Sequence, residues 1–255
     1  MGNLGVDALM PTVPAFRPSV LDAKRRLWEG RERIRQRHLA GSPGIQVSRA
    51  LTELIDGVVL DLYRSALEDL GESGPDGLEK DCTVVAHGGS GRQDLAPYSD
   101  VDLMLLHAPR AEERAGRLAE RLMRDVFDAG LQLGQAVRTV DQACKLARED
   151  ATICTSLIES RRLAGSQSLF DGFVRRFRRD TTRRADALLK LICESRDDER
   201  RQYGETVYLL EPNVKRSLGG LRDLHFLRWV GFLKFETPEP DGLRLRGHLS
   251  NADYE

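Results

Sequence analysis

Asp100 and Asp102 are two carboxylates separated by one residue, and Gly88-Gly89-Ser90-Gly91-Arg92 stands shortly before them. Side chains alternate faces along a β-strand, so a strand carrying both aspartates puts them on one face, about 7 Å apart. Like charges at that spacing are unfavourable unless a cation lies between them. Magnesium, which takes one or two carboxylates together with phosphate oxygens, suits such a pair. Glycines let backbone N–H groups approach a phosphate closely and form an anion-binding concavity. Ser90 adds a hydroxyl donor and Arg92 a planar cation. A phosphate cradle beside a metal-holding carboxylate pair is the equipment of phosphoryl or nucleotidyl transfer. The competing reading is a glycine turn followed by two solvated aspartates.

The elements around these residues must hold them in register. Cys82-Thr83-Val84-Val85-Ala86 is an apolar run ending at the glycines, and Val101 to Leu106 is a second that starts inside the aspartate pair; both read as buried strands. Asp94, Pro97 and Tyr98 mark a turn-rich connection between them. Upstream, Val47, Leu51, Leu54, Ile55, Val58, Val59 and Leu62 recur at helical spacing, predicting an amphipathic helix to about Leu70. Ala111 to Ala129 reads as another helix, with Leu118, Leu122 and Val126 on one face, and Leu131 to Thr139 as a third strand. Asp141 is placed to cap the next helix. From about Ala151 onward the pattern is helical, with one long helix expected to reach about Arg201, a break at Glu211-Pro212-Asn213, and a helix from Leu221 to about Phe235 with Asp223 in its first turn. Periodicity alone supports an α/β domain.

Composition sets further bounds. The 255 residues are 40% hydrophobic and 31% charged, and the formal net charge is −1. That balance suits a globular domain with helical bias and leaves no global basic footprint for nucleic acid. A basic helix spans residues 19–40 and reads as a solvated face more than as a contact for nucleic acid or a partner; six arginines fall between Arg175 and Arg184, which an amphipathic helix surface explains about as well as a ligand. Residues 1–18 carry three prolines and read as a loose arm. Cys82, Cys144, Cys154 and Cys193 lack metal-type spacing, which favours a reducing, cytoplasmic setting. There is no apolar stretch of membrane-spanning length. A Walker A loop is excluded because no Gly-Lys pair occurs, and a dinucleotide fingerprint because Asp94 stands where its third glycine would be.

The string Gly88-Gly89-Ser90, followed by Asp100-x-Asp102, resembles the DNA polymerase beta type nucleotidyltransferase superfamily. The fuller run from Gly88 to Leu103 is similar to the nucleotidyltransferase domain of the PII uridylyltransferase family, the bifunctional uridylyltransferase/uridylyl-removing enzymes. Further matches are Gly134-Gln135-Ala136-Val137-Arg138-Thr139, the segment Asp150 to Leu163 (taken as a helix ending Leu-Ile-Glu-Ser-Arg), Tyr203-Gly204-Glu205-Thr206, Glu211-Pro212-Asn213-Val214-Lys215 and Gly219-Gly220-Leu221-Arg222-Asp223. The resemblance implies an α+β fold: a small mixed-sheet core over 46–165 with flanking helices, a preceding arm and basic helix over 1–45, and a helical associated domain over 166–255. It implies Asp100 and Asp102 as catalytic metal ligands for Mg2+ or Mn2+. Gly88, Gly89, Ser90, Arg92, Lys215 and Arg222 would face the nucleotide. The implied reaction transfers UMP from UTP to a tyrosine of a PII-type signalling protein in nitrogen regulation, with no role for membrane or nucleic acid.

Departures from the family pattern fall in two loops. Arg92-Gln93-Asp94-Leu95 replaces Arg-Gly-Glu-Leu, and Lys215-Arg216-Ser217-Leu218-Gly219-Gly220 replaces Lys-Glu-Ser-Pro-Gly-Gly. The third strand carries no carboxylate to join the aspartate pair, leaving Asp94 or Asp141 as weak substitutes. None of His38, His87, His107, His225 and His248 is followed by Asp, so uridylyl removal is not expected from these residues, nor is glutamine sensing. The chain reads as a piece of a larger enzyme or a truncated paralogue. A non-catalytic nucleotide-binding module is the alternative to an active transferase, and a transferase with another acceptor is a second one.

Overall fold

The computed structural model describes residues 16–203, 211 and 213–254. The N-terminal arm up to residue 15, the Gly204-Glu205-Thr206 motif and Pro212 lie outside the described residues. In chain order the elements are α1 (Pro18–Leu39), α2 (Gly44–Asp69), β1 (Cys82–Ala86), α3 (Gly88–Arg92), β2 (Val101–His107), α4 (Glu112–Asp128), β3 (Leu133–Thr139), α5 (Val140–Ala147), α6 (Ala151–Ile158), β4 (Arg161–Gly165), α7 (Gln167–Thr182), α8 (Ala185–Tyr203), α9 (Leu221–Phe235), α10 (Pro240–Leu245) and α11 (Asn251–Tyr254). The expected α+β class is what the structure shows. Among the described residues no helix is long and apolar enough to cross a membrane.

The strands form one sheet in the order β3-β2-β1-β4. β1 runs antiparallel to β2 and β4, while β2 and β3 are parallel. Alternation along the strands divides the interior into two cores. Val84, Leu103 and Leu105 join Leu27 of α1, Val58 and Leu62 of α2 and Leu118 of α4 on one face. Val85, Met104 and Leu106 join Phe173 of α7, Leu188 of α8 and Trp229 of α9 on the other. Asp102 has the parity of Met104 and Leu106, so its side chain leaves the sheet on the face covered by α5 to α9. Helices after residue 150 are therefore needed to complete the surroundings of the aspartate pair.

Several local expectations are corrected. The glycine turn is a single turn of helix, α3. Asp100 lies just before β2, not inside it, because pairing begins with Val101, opposite Leu133. The helix after β3 is capped by Thr139: its hydroxyl accepts from the Gln142 N–H and the Gln142 side chain bonds back to the Thr139 N–H, a capping box. Asp141 sits in the first turn and pairs with Arg176. The segment Asp150 to Leu163 is not one helix. α6 ends at Ile158, and the chain then pairs with β1 as β4, a sheet-edge position that a short polar run such as Arg161-Arg162 does not announce. The long helix expected through Arg201 is broken at Arg183–Arg184, between α7 and α8.

α3 ends on Gln93, which has φ 63° and ψ 36°. This left-handed conformation costs a residue with a Cβ about 1–2 kcal/mol, and it occurs where the resemblance has glycine. Gln93→Gly is expected to stabilise the fold by about 0.5–1 kcal/mol in urea unfolding, the strain relief being partly offset by unfolded-chain entropy. A lower unfolding midpoint would show that the Gln93 side chain contributes more than its backbone strain costs.

Candidate active site

The start of β2 and the turn of α3 are tied together through Asp102. Its N–H donates to Ser90 Oγ at 3.0 Å, and its carbonyl accepts from the His87 N–H at 3.1 Å. Arg161 on β4 holds the other side of the turn, donating to the Ser90 carbonyl at 2.9 Å and pairing with Asp56 of α2 at 2.8 Å. Ser90 is buried, so its hydroxyl lies beneath the turn as part of this lock.

Two glycines make the seat of the Asp102 carboxylate. Gly88 has φ +54°, and a Cβ there would lie 2.7 Å from Asp102 Oδ2. Gly134 pairs with Asp102 across the parallel β2–β3 ladder, and its Cβ would lie 2.5 Å from Oδ1. Neither position tolerates a side chain while the carboxylate stays in place. The residues of β3 sharing the Asp102 face are Gly134, Ala136 and Arg138, so the sheet offers no third carboxylate there. Among the described residues no group of three or more His, Cys, Asp or Glu side chains could hold a metal ion.

Asp100 and Asp102 line a common cleft of about 490 Å3, together with Gly89, Arg92, Asp94, Lys215, His225 and the loop from Ala96 to Ser99. Burial pushes the Asp102 carboxyl above its ordinary range, and Asp100 adds to the shift; Lys215 and Arg92 oppose it. Among the described residues nothing donates a hydrogen bond to the Asp102 carboxylate. A half-buried carboxylate with a like-charged neighbour and no donor is a fit donor set for a hard divalent cation completed by phosphate oxygens. Partial burial pushes the Lys215 ammonium down, with Arg222, Arg216 and Arg92 acting in the same direction. The cleft therefore sets a carboxylate pair against a cluster of cations. At the start of α3 the N–H groups of Gly88, Gly89 and Ser90 have no backbone acceptor among the described residues, and Gly89 lines the cleft.

The other named residues are distributed as follows. Arg92 forms a two-point pair with Asp94, at 2.7 and 3.3 Å. Asp94 also faces His225 Nε2 of α9 at 3.4 Å. Burial raises the Asp94 carboxyl, but His225 and Arg92 outweigh it and hold the group low. Asp94 is thus committed to two partners and Asp141 to Arg176. Arg222 does not line the cleft. It lines a neighbouring cavity of about 350 Å3, over the Trp229 ring at 5.4 Å and with Glu199 at 3.5 Å. Arg216, one of the departures from the family pattern, stacks on the Tyr203 ring at 4.6 Å and donates to its hydroxyl.

Gly134, His87, His225 and Glu159 were missed as contributors to the site. Gly134 could have been found, because a glycine inside a strand often marks a close approach. His87 Nδ1 lies 2.6 Å from Ser156 Oγ, beside the Gly88 turn, and His225 carries Asp94; both pairings depend on distant segments. The Glu159 carboxylate at the end of α6 takes a two-point bond from Arg228 of α9, at 3.1 and 3.0 Å, which anchors the helix that delivers His225.

A family model described as GlnD PII-uridylyltransferase matches residues 187–255. The bifunctional uridylyltransferase/uridylyl-removing enzyme of Caulobacter vibrioides is 35% identical over 220 residues, covering 86% of this chain and 23% of the relative. The same-named protein of Rhodopseudomonas palustris is 33% identical over 254 residues, covering 99% and 27%. Over most of its length the chain is similar to these PII-uridylyltransferase relatives. It spans about a quarter of the length of the curated relatives it matches. The family resemblance in the Gly88–Asp102 and Lys215–Asp223 segments thus coincides with the two sides of one cleft.

Burial pushes the His87 imidazole down to about 4 from an ordinary 6.5, with Arg138 adding to the shift. Between those values the unfolded chain binds more protons than the folded one, so this contribution is complete above about pH 6.5 and is lost as pH falls toward 4. Going from pH 7 to pH 5, His87 is expected to remove about 2 kcal/mol of stability. Urea unfolding of His87→Gln should show a shallower pH dependence over that interval. An unchanged slope would mean that other groups carry it.

Proposed function

We propose that the cleft is a metal-dependent nucleotidyl-transfer site, moving UMP from UTP to a hydroxyl, the acceptor being a tyrosine of a PII-type signalling protein. The observation that carries the reading is the Asp100–Asp102 pair, undonated at Asp102 among the described residues, facing Arg92 and Lys215 across one cleft that Gly89 of α3 also lines. The base and the acceptor rest on the family alone.

In this reading Asp100 and Asp102 hold Mg2+ or Mn2+, and the bound metal would offset charge on the phosphate oxygens. The Gly88 and Gly89 N–H groups and the cations of Arg92 and Lys215 orient the triphosphate. Arg222, in the neighbouring cavity and paired with Glu199, adds to the positive potential near the cleft. The acceptor oxygen attacks the α-phosphorus, and its proton passes to solvent water. The bond between the α-phosphorus and the bridging oxygen breaks, and pyrophosphate leaves. Positioning and charge compensation supply most of the acceleration. The boundaries near residues 45 and 165 are proposed as those of arm, core and helical unit.

The test is transfer of label from α-labelled UTP to a purified PII protein with magnesium or manganese, with ATP, CTP and GTP alongside. Asp100→Asn combined with Asp102→Asn should lower transfer by at least about 100-fold, while thermal stability holds or rises because a like-charge contact is relieved. Full activity in that variant overturns the assignment. Metal-dependent UTP binding without transfer would favour the non-catalytic module. Gly134→Ala, which changes no charge, is expected to reduce transfer at least tenfold by displacing the Asp102 carboxylate; wild-type rates would show that the seat is not needed.

A further inference from the structure

A second concavity, of about 520 Å3, adjoins the cleft. It lies between α1, the first turns of α2 and the end of α4, and it shares Pro97 and Tyr98 with the cleft. Leu27, Ile34 and Leu51 form its buried floor. Trp28 stands on its wall 73% exposed, and Tyr98 is 98% exposed. Lone exposed aromatics need no explanation, but two on one groove that opens onto a reaction cleft do. Trp and Tyr are the side chains that most often dominate protein–protein binding energy. The rim is cationic: Lys24, Arg31, Arg35 and His38 surround one carboxylate, Glu32, which Arg35 and Gln36 already occupy.

We infer that this groove docks the protein that carries the acceptor hydroxyl, by an acidic segment next to the acceptor residue. The inference rests on the nucleotidyl-transfer reading above and assigns its partner a place. A macromolecular acceptor must lie across a rim of the cleft to put a hydroxyl near Asp100 and Asp102. The Pro97–Tyr98 rim continues into an apolar, cation-edged groove. The α3 rim is instead taken up by the Arg92–Asp94–His225 contacts, and the 213–222 turn by the Arg196 and Glu199 pairs with Asp223 and Arg216. An acidic segment finds charge complementarity at Lys24, Arg31 and Arg35 and apolar area at Trp28.

Trp28→Ala and Arg31→Glu test the assignment, because both residues lie outside the cleft. Direct binding of a purified PII protein to the whole chain should weaken about tenfold or more in each, with metal-dependent UTP binding unchanged. In transfer assays the KM for the acceptor protein should rise by a similar factor, with the KM for UTP unaltered. Trp28→Phe should recover most of the loss, and added salt should weaken wild-type binding more than Arg31→Glu binding. The chain has two tryptophans, and Trp229 is buried, so docking should shift the emission of Trp28 to the blue. Unchanged acceptor affinity in both variants overturns the inference, as does a parallel loss of UTP binding. A blue shift relieved by deleting residues 1–15 and indifferent to acceptor would assign the groove to the chain's own arm and overturn it. A concentration-dependent dimer abolished by Trp28→Ala would overturn it in favour of a second copy. Binding that behaves as expected without any transfer would sink the catalytic reading and keep the docking face.

Discussion

The site depends on a carboxylate that has room only because two residues have no side chain. Asp102 points between Gly88 and Gly134, and a Cβ on either would enter its oxygens' space. Both glycines are brought there by backbone pairing: Gly134 by the parallel register of β2 and β3, and Gly88 by the tie between the His87 N–H and the Asp102 carbonyl. With its own N–H held by Ser90 Oγ, Asp102 is gripped at both ends of its backbone unit. Its carboxylate is half-buried and accepts no hydrogen bond among the described residues. Such a group is costly for folding and useful for holding a cation.

Strand parity then assigns the rest of the molecule its work. Met104 and Leu106, on the Asp102 face, are covered by α5 to α9, so the layer that buries them also carries Lys215 and His225 into the cleft. Arg228 with Glu159, and His225 with Asp94, fasten that layer to the core. Half-buried ion pairs of this kind add little net stability, since desolvation consumes much of their Coulomb gain. Their value lies in direction: each has one geometry that satisfies it, and together they set where the cations stand.

The departures from the family pattern are absorbed locally. Gln93 takes a left-handed conformation that glycine would adopt freely, and the Arg92–Asp94 pair beside it closes the same turn. Arg216, a cation where the family pattern has an acid, finds the Tyr203 ring and Glu199. Neither change enters the seat of Asp102.

The sequence by itself determined the aspartate pair, the glycine turn, the first three strands and the helices from Pro18 to Asp69 and from Leu221 to Phe235, because periodicity, glycines and flanking turns act within a few residues of themselves. It also singled out Arg92 and Lys215, which line one cleft with Asp100 and Asp102. Tertiary structure alone decided that Arg161–Gly165 is an edge strand, that Ser90 lies beneath its turn, and that Arg222 faces a neighbouring cavity. It alone set Gly134 against Asp102. Each of these depends on which distant segment supplies the partner, and a pairing register or a packed face leaves no mark in the short-range pattern of either strand.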